Sequence, residues 1–366
     1  MAYRVVQWST GNVGRWALRG IIDHPDLELA GVWVSSPAKN GRDAGELAGA
    51  DRPLGIRATA DADELIAAEP DCVVYTAMAD NRLSEAIDDL CRLLRAGINV
   101  VASGPVFLSF PDGTVPLDLV EPIRSAAADG RASLWVNGID PGWANDWLPL
   151  LLSGTCQRID LVRCSEITDY STYHNPLVLF DLMGFGTPLD ETPMLLQPGV
   201  LSIAWGSVVR QLAAALEVPL DSVAEHHERF PAPEPFTVAG RTINTGTMAA
   251  LRFTVSGMVA DRPVLVLVLE HVTRLRPDLA PDWPQPAGTG CYRVEITGEP
   301  NYVLDLRLTG GDGDHNTAGV ASTAMRLVNA VPAVVAAPPG LLTALDLPLT
   351  TGRGLVSIPA RGVINP

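Results

Sequence analysis

The chain has 366 residues, 47% of them hydrophobic and 19% charged, with a formal net charge of −16. That length is enough for two domains with buried cores, and that acidity excludes a nucleic acid or an anionic membrane as partner, because both call for a basic face. The five cysteines show no C-x-x-C or other metal-ligand spacing and no leader precedes the first strand, so buried thiols and a cytoplasmic location are expected.

The first predicted strand, Arg4 to Trp8, runs into Ser9-Thr10-Gly11-Asn12-Val13-Gly14 and reopens as a helix from Arg15. A strand, a tight turn and a helix N-terminus aim backbone N–H groups and the positive helix end at one point, which suits a pyrophosphate. Ser9 stands where the first glycine of G-x-G-x-x-G is usual, whereas Gly11 and Gly14 keep the positions of close backbone approach. A second strand, Leu27 to Val34, ends in Ser35-Ser36 and is followed by Lys39 and Arg42. With no carboxylate there to hold a ribose diol, and with hydroxyls and cations that suit a 2′-phosphate, NADP is favoured while NAD stays possible.

Strand and helix patterns then alternate: helix Asp61 to Glu69, strand Asp71 to Thr76, a helical face of Leu83, Ile87, Leu90 and Leu94, strand Ile98 to Ser103, helix Leu117 to Asp129 and strand Ala132 to Val136. This is the pattern of a doubly wound parallel α/β sheet, whose ligand lies beyond the carboxyl ends of the strands. Thr76, Phe107, Asp140 and Trp143 fall there; Asp140 reads as a general acid or as a helix N-cap with Pro141 at the first helical position.

From Arg158 the runs Arg158 to Thr168, Met248 to Val259, Val264 to Arg274, Tyr292 to Thr297 and Tyr302 to Leu308 have strand character, interrupted by helical stretches at Pro176 to Met183 and Val200 to Leu216. Tyr170 and Tyr173, with His174, end the first of these strands; Tyr173 and His174 are the expected proton donors and Tyr170 a pocket wall. An apolar helix from Ala318 to Ala330, extended by the apolar Pro332 to Ala337, brings Met325 towards the substrate and Asn329 towards the cofactor. The expected organisation is a Rossmann domain at 1–150, an α+β domain with a mixed or antiparallel sheet at 151–312, and a segment at 313–366 that returns to the first domain. Glu225-His226-His227 reads as surface strand, and no metal site is expected.

Gln7 to Gly14, Lys39 to Leu47, Ile139 to Asp146, Asp169 to Tyr173, Met183-Gly184-Phe185-Gly186 and Thr323 to Ala330 together resemble the dihydrodipicolinate-reductase-like family that includes diaminopentanoate dehydrogenases and native amine dehydrogenases. The resemblance implies a nicotinamide cofactor, a homodimer and hydride transfer that interconverts an amine with an imine or ketone. In the amine dehydrogenases a glutamate shortly after the strand equivalent to Ile98 to Ser103 handles the proton and the ammonia. Here that place is Gly104-Pro105-Val106-Phe107. The expected activity is therefore NADP-dependent hydride delivery to a preformed C=N or C=O in a small to medium, mostly apolar substrate. Two alternatives remain open: an amine dehydrogenase in which Asp140 or Glu166 takes the place of the missing glutamate, and a cofactor-binding sensor or scaffold without turnover.

Overall fold

The structure is a computed structural model that describes residues 2–173, 175–259 and 262–356. Its first half alternates strand and helix: β1 (Tyr3–Trp8), α1 (Asn12–Asp23), β2 (Leu27–Trp33), α2 (Ala44–Ala48), α3 (Ala62–Ala67), β3 (Cys72–Tyr75), α4 (Leu83–Arg95), β4 (Asn99–Ala102), α5 (Leu117–Gly130) and β5 (Ser133–Val136). The strands are short, each contains valine, and they are largely buried on both faces, as a parallel sheet requires. Leu90, Leu93 and Leu94 of α4 and Ile123 and Ala127 of α5 cover one face against Val6, Val73, Val100 and Leu134.

After α6 (Trp147–Ser153) come β6 (Arg158–Asp169), a π-helical segment at Leu177–Leu182, α7 (Val200–Ala204), α8 (Gly206–Ala215), β7 (Ser222–Pro231), the small hairpin β8 (Phe236–Val238) and β9 (Arg241–Ile243), β10 (Met248–Val259), β11 (Arg262–Arg274), β12 (Gly290–Glu299) and β13 (Tyr302–Leu306). The second sheet has the order β13-β12-β6-β11-β10-β7, parallel only between β6 and β11, so it is mixed. The π-helical segment, α7 and α8 cover one of its faces through Leu179, Phe180, Leu201, Val208 and Leu212. On the opposite face Glu270 lies between Arg163 at 3.3 Å and Arg252 at 2.8 Å.

The chain closes with α9 (His315–Ala336) and β14 (Gly340–Leu342). β14 joins the first sheet beside β5, giving the parallel order β14-β5-β4-β3-β1-β2, and Leu327, Val328, Val331 and Val334 of α9 cover its second face beside Ala17 and Ile21 of α1. The expected α/β class, a parallel Rossmann-like sheet and a second mixed sheet, is what the structure shows. Two local expectations are corrected. The tail helix starts three residues before Ala318 and runs through Pro332, and the chain after it makes an edge strand. Asp140 caps no helix: residues 139–146 are tied into turns by Gly142, at φ +147°, whose N–H donates to Asn145 Oδ1 at 2.8 Å, and Asp146 is the residue that caps α6.

Candidate active site

The turn between β1 and α1 is built around close backbone approach. A Cβ on Gly14 would lie 2.2 Å from the Ser9 carbonyl oxygen, so only glycine lets α1 start this near the strand. Ser9 itself adopts φ +77°, the left-handed conformation that the usual glycine takes without strain. Gln7 Nε2 donates to the Ser9 carbonyl at 2.7 Å and to Thr76 Oγ1 at 2.8 Å, and Thr76 Oγ1 donates to the Trp8 carbonyl at 3.0 Å, so β1 and β3 hold the turn from below. Lys39 folds back on it, its Nζ donating to the Thr10 carbonyl at 2.8 Å and to Thr10 Oγ1 at 3.1 Å. Ser35 and Ser36 stand at the end of β2, and Arg42 is occupied by Glu46 at 2.7 Å. Gly11, by contrast, has open space around it. This cradle fits a dinucleotide, and Gly14→Ala is expected to weaken cofactor binding by at least about tenfold in a fluorescence titration while the far-ultraviolet dichroism stays native.

From the turn a cavity of about 380 Å³ opens between the two sheets, lined by Ser9, Gly11, Asn12, Val13 and Thr76 at one end and by Asp140, Glu166, Tyr170, Tyr173, Trp205, His271, Tyr292 and His315 at the other. Its inner wall is the helix-covered face of the second sheet. Along β6 the residues of that face are Val162, Cys164, Glu166 and Thr168, and His271 sits directly beside Glu166 on β11. Period-two alternation therefore turns two ionisable side chains inward where core residues belong.

His271 lies between two carboxylates. Its Nδ1 is 3.0 Å from Glu166 Oε2 and its Nε2 is 3.2 Å from Asp140 Oδ1, with all three side chains under 10% exposed. Phe253 stacks on the imidazole at 4.7 Å and Trp205 meets it edge-on at 4.7 Å, while Trp205 Nε1 donates to Asp140 Oδ1 at 2.9 Å. Burial pulls the imidazolium pKa down, but Asp140 and Glu166 outweigh burial and hold it up at about 10. Burial likewise pushes Glu166 up, and the hydrogen bond and charge of His271 more than offset it, leaving the carboxyl below its ordinary range. The Tyr170 hydroxyl donates to Glu166 Oε2 at 3.1 Å. Desolvation, with Glu166 next, keeps the Tyr170 and Tyr292 phenols well above their usual range, so both stay donors.

The ligating atoms of Asp140, Glu166 and His271 all lie within 4.8 Å of one another, a spacing that could hold a metal ion. Both imidazole nitrogens, however, face carboxylates as donors, and coordination needs a nitrogen lone pair. The cluster sets one imidazole, held towards its charged form, between two carboxyl groups. Among the described residues no Lys or Arg lines the cavity, and Asp80 at its rim adds a further carboxyl, raised by burial.

Of the residues singled out from the sequence, the structure brings Ser9, Gly11, Asn12, Val13, Thr76, Asp140, Tyr170 and Tyr173 into this one cavity. Thr10 and Gly14 shape its turn. Trp143, Met325 and Asn329 do not line it; they border a separate cavity of about 290 Å³ with Leu306, Leu308 and Arg326. The reason is helical phase: positions 315, 316, 319, 320 and 323 of α9 face the cleft, and 325 and 329 lie on the neighbouring side, where Met325 fills the space above Gly20. Phe107 is buried in the core of the first sheet, away from the cleft. His174 lies outside the described residues. His226 is exposed on β7, as a surface strand position. Sequence pattern alone does not single out His271 and His315, although Glu270-His271 interrupts the apolar strand pattern that begins at Val264 and is visible in the sequence.

Residues 144–356 match the family model of the 2,4-diaminopentanoate dehydrogenase C-terminal domain. An amine dehydrogenase of Streptomyces virginiae is 44% identical over 355 residues, which cover 95% of this chain and 97% of that protein. In fold the chain is similar to an amine dehydrogenase from Mycobacterium smegmatis, with a TM-score of 0.76 at 23% identity over 96% of this chain and 97% of the other. It is also similar to an oxidoreductase from Agrobacterium radiobacter solved with NAD+, L-tartaric acid and magnesium, with a TM-score of 0.58 at 10% identity over 94% and 92% of the two chains. A glycine turn on a Rossmann-like sheet, a cleft to a second mixed sheet and this whole-length similarity agree: the chain belongs to the amine and 2,4-diaminopentanoate dehydrogenase family, and is an oxidoreductase that uses a nicotinamide cofactor on a C=N or C=O group.

Proposed function

We propose that the chain interconverts a small, mostly apolar amine and its imine, with NADP as the preferred cofactor. The observation that carries this reading is the Glu166–His271–Asp140 cluster in the same cavity as the glycine turn. When bound, the cofactor supplies or accepts hydride at the carbon of the C=N bond. The carbon loses a hydride to become an iminium, so positive charge develops at nitrogen. Glu166, held ionised by His271, faces that charge in a water-poor cavity where a fixed carboxylate is most effective. Tyr170 and Tyr173, stacked at 4.9 Å, with Val178 and Val106, form the wall against the substrate's apolar part. A substrate carboxylate finds no Lys or Arg in the described lining, the His271 imidazole is already paired with Glu166 and Asp140, and three carboxyl groups face it.

The position after β4 carries no acid, and Glu166 reaches the cavity from the opposite wall instead. This supports the amine–imine half of the expected chemistry over a neutral carbonyl acceptor, and it removes the ground on which a sensor without turnover rested, namely a site without a carboxylate. Oxidation of a panel of primary amines with NADP+, set against the same panel bearing a carboxylate, tests the reading; turnover of amino acids but not of simple amines would defeat it.

For the cofactor, Lys39 at the turn and the serines after β2 support NADP. Lys39→Ala is expected to weaken NADPH binding by about tenfold, the value of one charge-assisted hydrogen bond, and NADH binding much less. Equal losses for the two cofactors would show that Lys39 only braces the turn.

A further inference from the structure

We infer that His315 is a further catalytic residue: it holds the water that hydrolyses the imine, in the same cavity as Glu166. This inference rests on the amine–imine reading and adds a second chemical step to it.

His315 is 2% exposed, lines the reaction cavity, and neither ring nitrogen has a hydrogen-bond partner among the described residues. A buried imidazole in that condition is rare, because its donor and acceptor lose water and gain nothing. Its position is fixed rather than incidental. It opens α9, whose first turn is fastened to the end of β6: Asn316 Nδ2 donates to the Asp169 carbonyl and to Thr172 Oγ1, both at 2.7 Å, and Thr172 Oγ1 donates to Asp314 Oδ1 at 2.6 Å. Asp314 in turn caps the helix by accepting from Thr317 N at 2.8 Å. The backbone makes room for the ring. A Cβ on Gly290 would come within 2.6 Å of it, and Tyr292, whose hydroxyl faces Glu166, lies 5.3 Å away by ring centroid.

Glu166 is already committed. Its Oε2 receives both His271 and Tyr170, and its charge serves the iminium nitrogen. Conversion of the imine to a carbonyl compound needs a second polar group, one that both donates and accepts, to orient a water and to move its proton. A neutral imidazole offers one N–H and one lone pair, and His315 is the histidine in the cavity with neither engaged. In the step, water adds to the iminium carbon and passes one proton to His315. His315 returns that proton to the nitrogen of the carbinolamine. The C–N bond then breaks, and the hydroxyl proton leaves with the departing nitrogen. Iminium and water become a carbonyl compound and ammonium, with no oxidant or reductant beyond the hydride transfer that precedes.

The test separates the two steps in time. The full-length protein is mixed in a stopped-flow instrument with NADP+ and cyclohexylamine or 2-aminobutane, whichever the wild type oxidises faster, and reduced cofactor is followed at its absorbance band. His315→Asn and His315→Gln are expected to give a burst of about one reduced cofactor per site at a rate close to that of the wild type. Steady-state turnover should then be slower by a factor of about 10²–10⁴, the usual worth of a general acid–base. A primary isotope effect from amine deuterated at the reacting carbon is expected on the burst and absent from the steady state. If the variants show no burst, and the full isotope effect remains on a slowed single turnover, His315 serves hydride transfer and the inference falls. It falls equally if steady-state turnover matches the wild type, or if the variants no longer bind cofactor. Should the wild type oxidise no amine at all, the underlying reading fails with it; wild-type oxidation with unaffected variants removes this inference alone.

Discussion

Glu166→Gln is expected to lower kcat for amine oxidation by about 10²–10³-fold, the usual loss when one preorganised group facing transition-state charge is removed. The amide keeps the size of the carboxylate and can still accept from Tyr170, so what disappears is the carboxylate's charge. The loss should appear in kcat and, because the ammonium or iminium is no longer attracted into the cavity, in KM for amine as well. Cofactor affinity should hold, since the residue belongs to β6 and not to the turn around Gly11. Steady-state kinetics with a direct cofactor titration separates these outcomes. A variant that loses cofactor affinity in step with kcat would assign Glu166 a structural part in shaping the cleft.

His271→Phe is expected to destabilise the fold by about 3–5 kcal/mol, the range for leaving a buried charge without its partner. Phenylalanine can keep the stack on Phe253 and the edge contact with Trp205, so the packing loss is small. Asp140 and Glu166 would then face each other across an apolar ring, and one of them would have to take up a proton or move. The pH dependence follows from the direction of the shift. A histidine whose folded pKa is raised to about 10 contributes stability that is fully present below its unfolded value near 6.5 and is lost as pH climbs towards 10. The difference in unfolding free energy between wild type and variant, read by chemical denaturation, should therefore be largest near pH 6 and shrink steadily above pH 7. Glu166, whose folded pKa is lowered, adds stability that is present above about pH 4.5 and fades below it. A gap independent of pH from 6 to 10 would mean that the imidazole is not held charged.

The first sheet was almost fully legible because its signals are local. Short valine-containing runs, a helix after each and a glycine turn after the first strand recur at fixed spacing, and the strands at Cys72–Tyr75, Asn99–Ala102 and Ser133–Val136 lie inside the predicted runs. Met248–Val259 coincides with its prediction to the residue. The inner wall of the site was less legible, since it depends on register. Glu166 and His271 meet because β6 and β11 are parallel neighbours, although 105 positions separate them in the chain and no spacing rule links them. The placement of Asp140 failed for a different reason. Asp-Pro ahead of an apolar run has the composition of a helix start, and the left-handed-side φ of Gly142 with the Asn145 side chain defers that start to Asp146. Met325 and Asn329 lie on the expected helix but on the side away from the cleft, because an apolar helix with few polar residues gives little phase information.

Helix α9 joins three duties in 22 residues. Its first turn is fastened to β6, its middle turns line the cleft at Gly319, Val320 and Thr323, and its last turns lie in the core of the cofactor-binding sheet. The consequence is mechanical. One rod anchored at each end ties the spacing of the two sheets to its own length and seating, and the same rod carries part of the pocket lining. Volume added at buried positions such as Ala324 or Val328 would therefore shift the seating of the rod and with it the cleft lining, so the shape of the pocket can be altered through residues that do not line it.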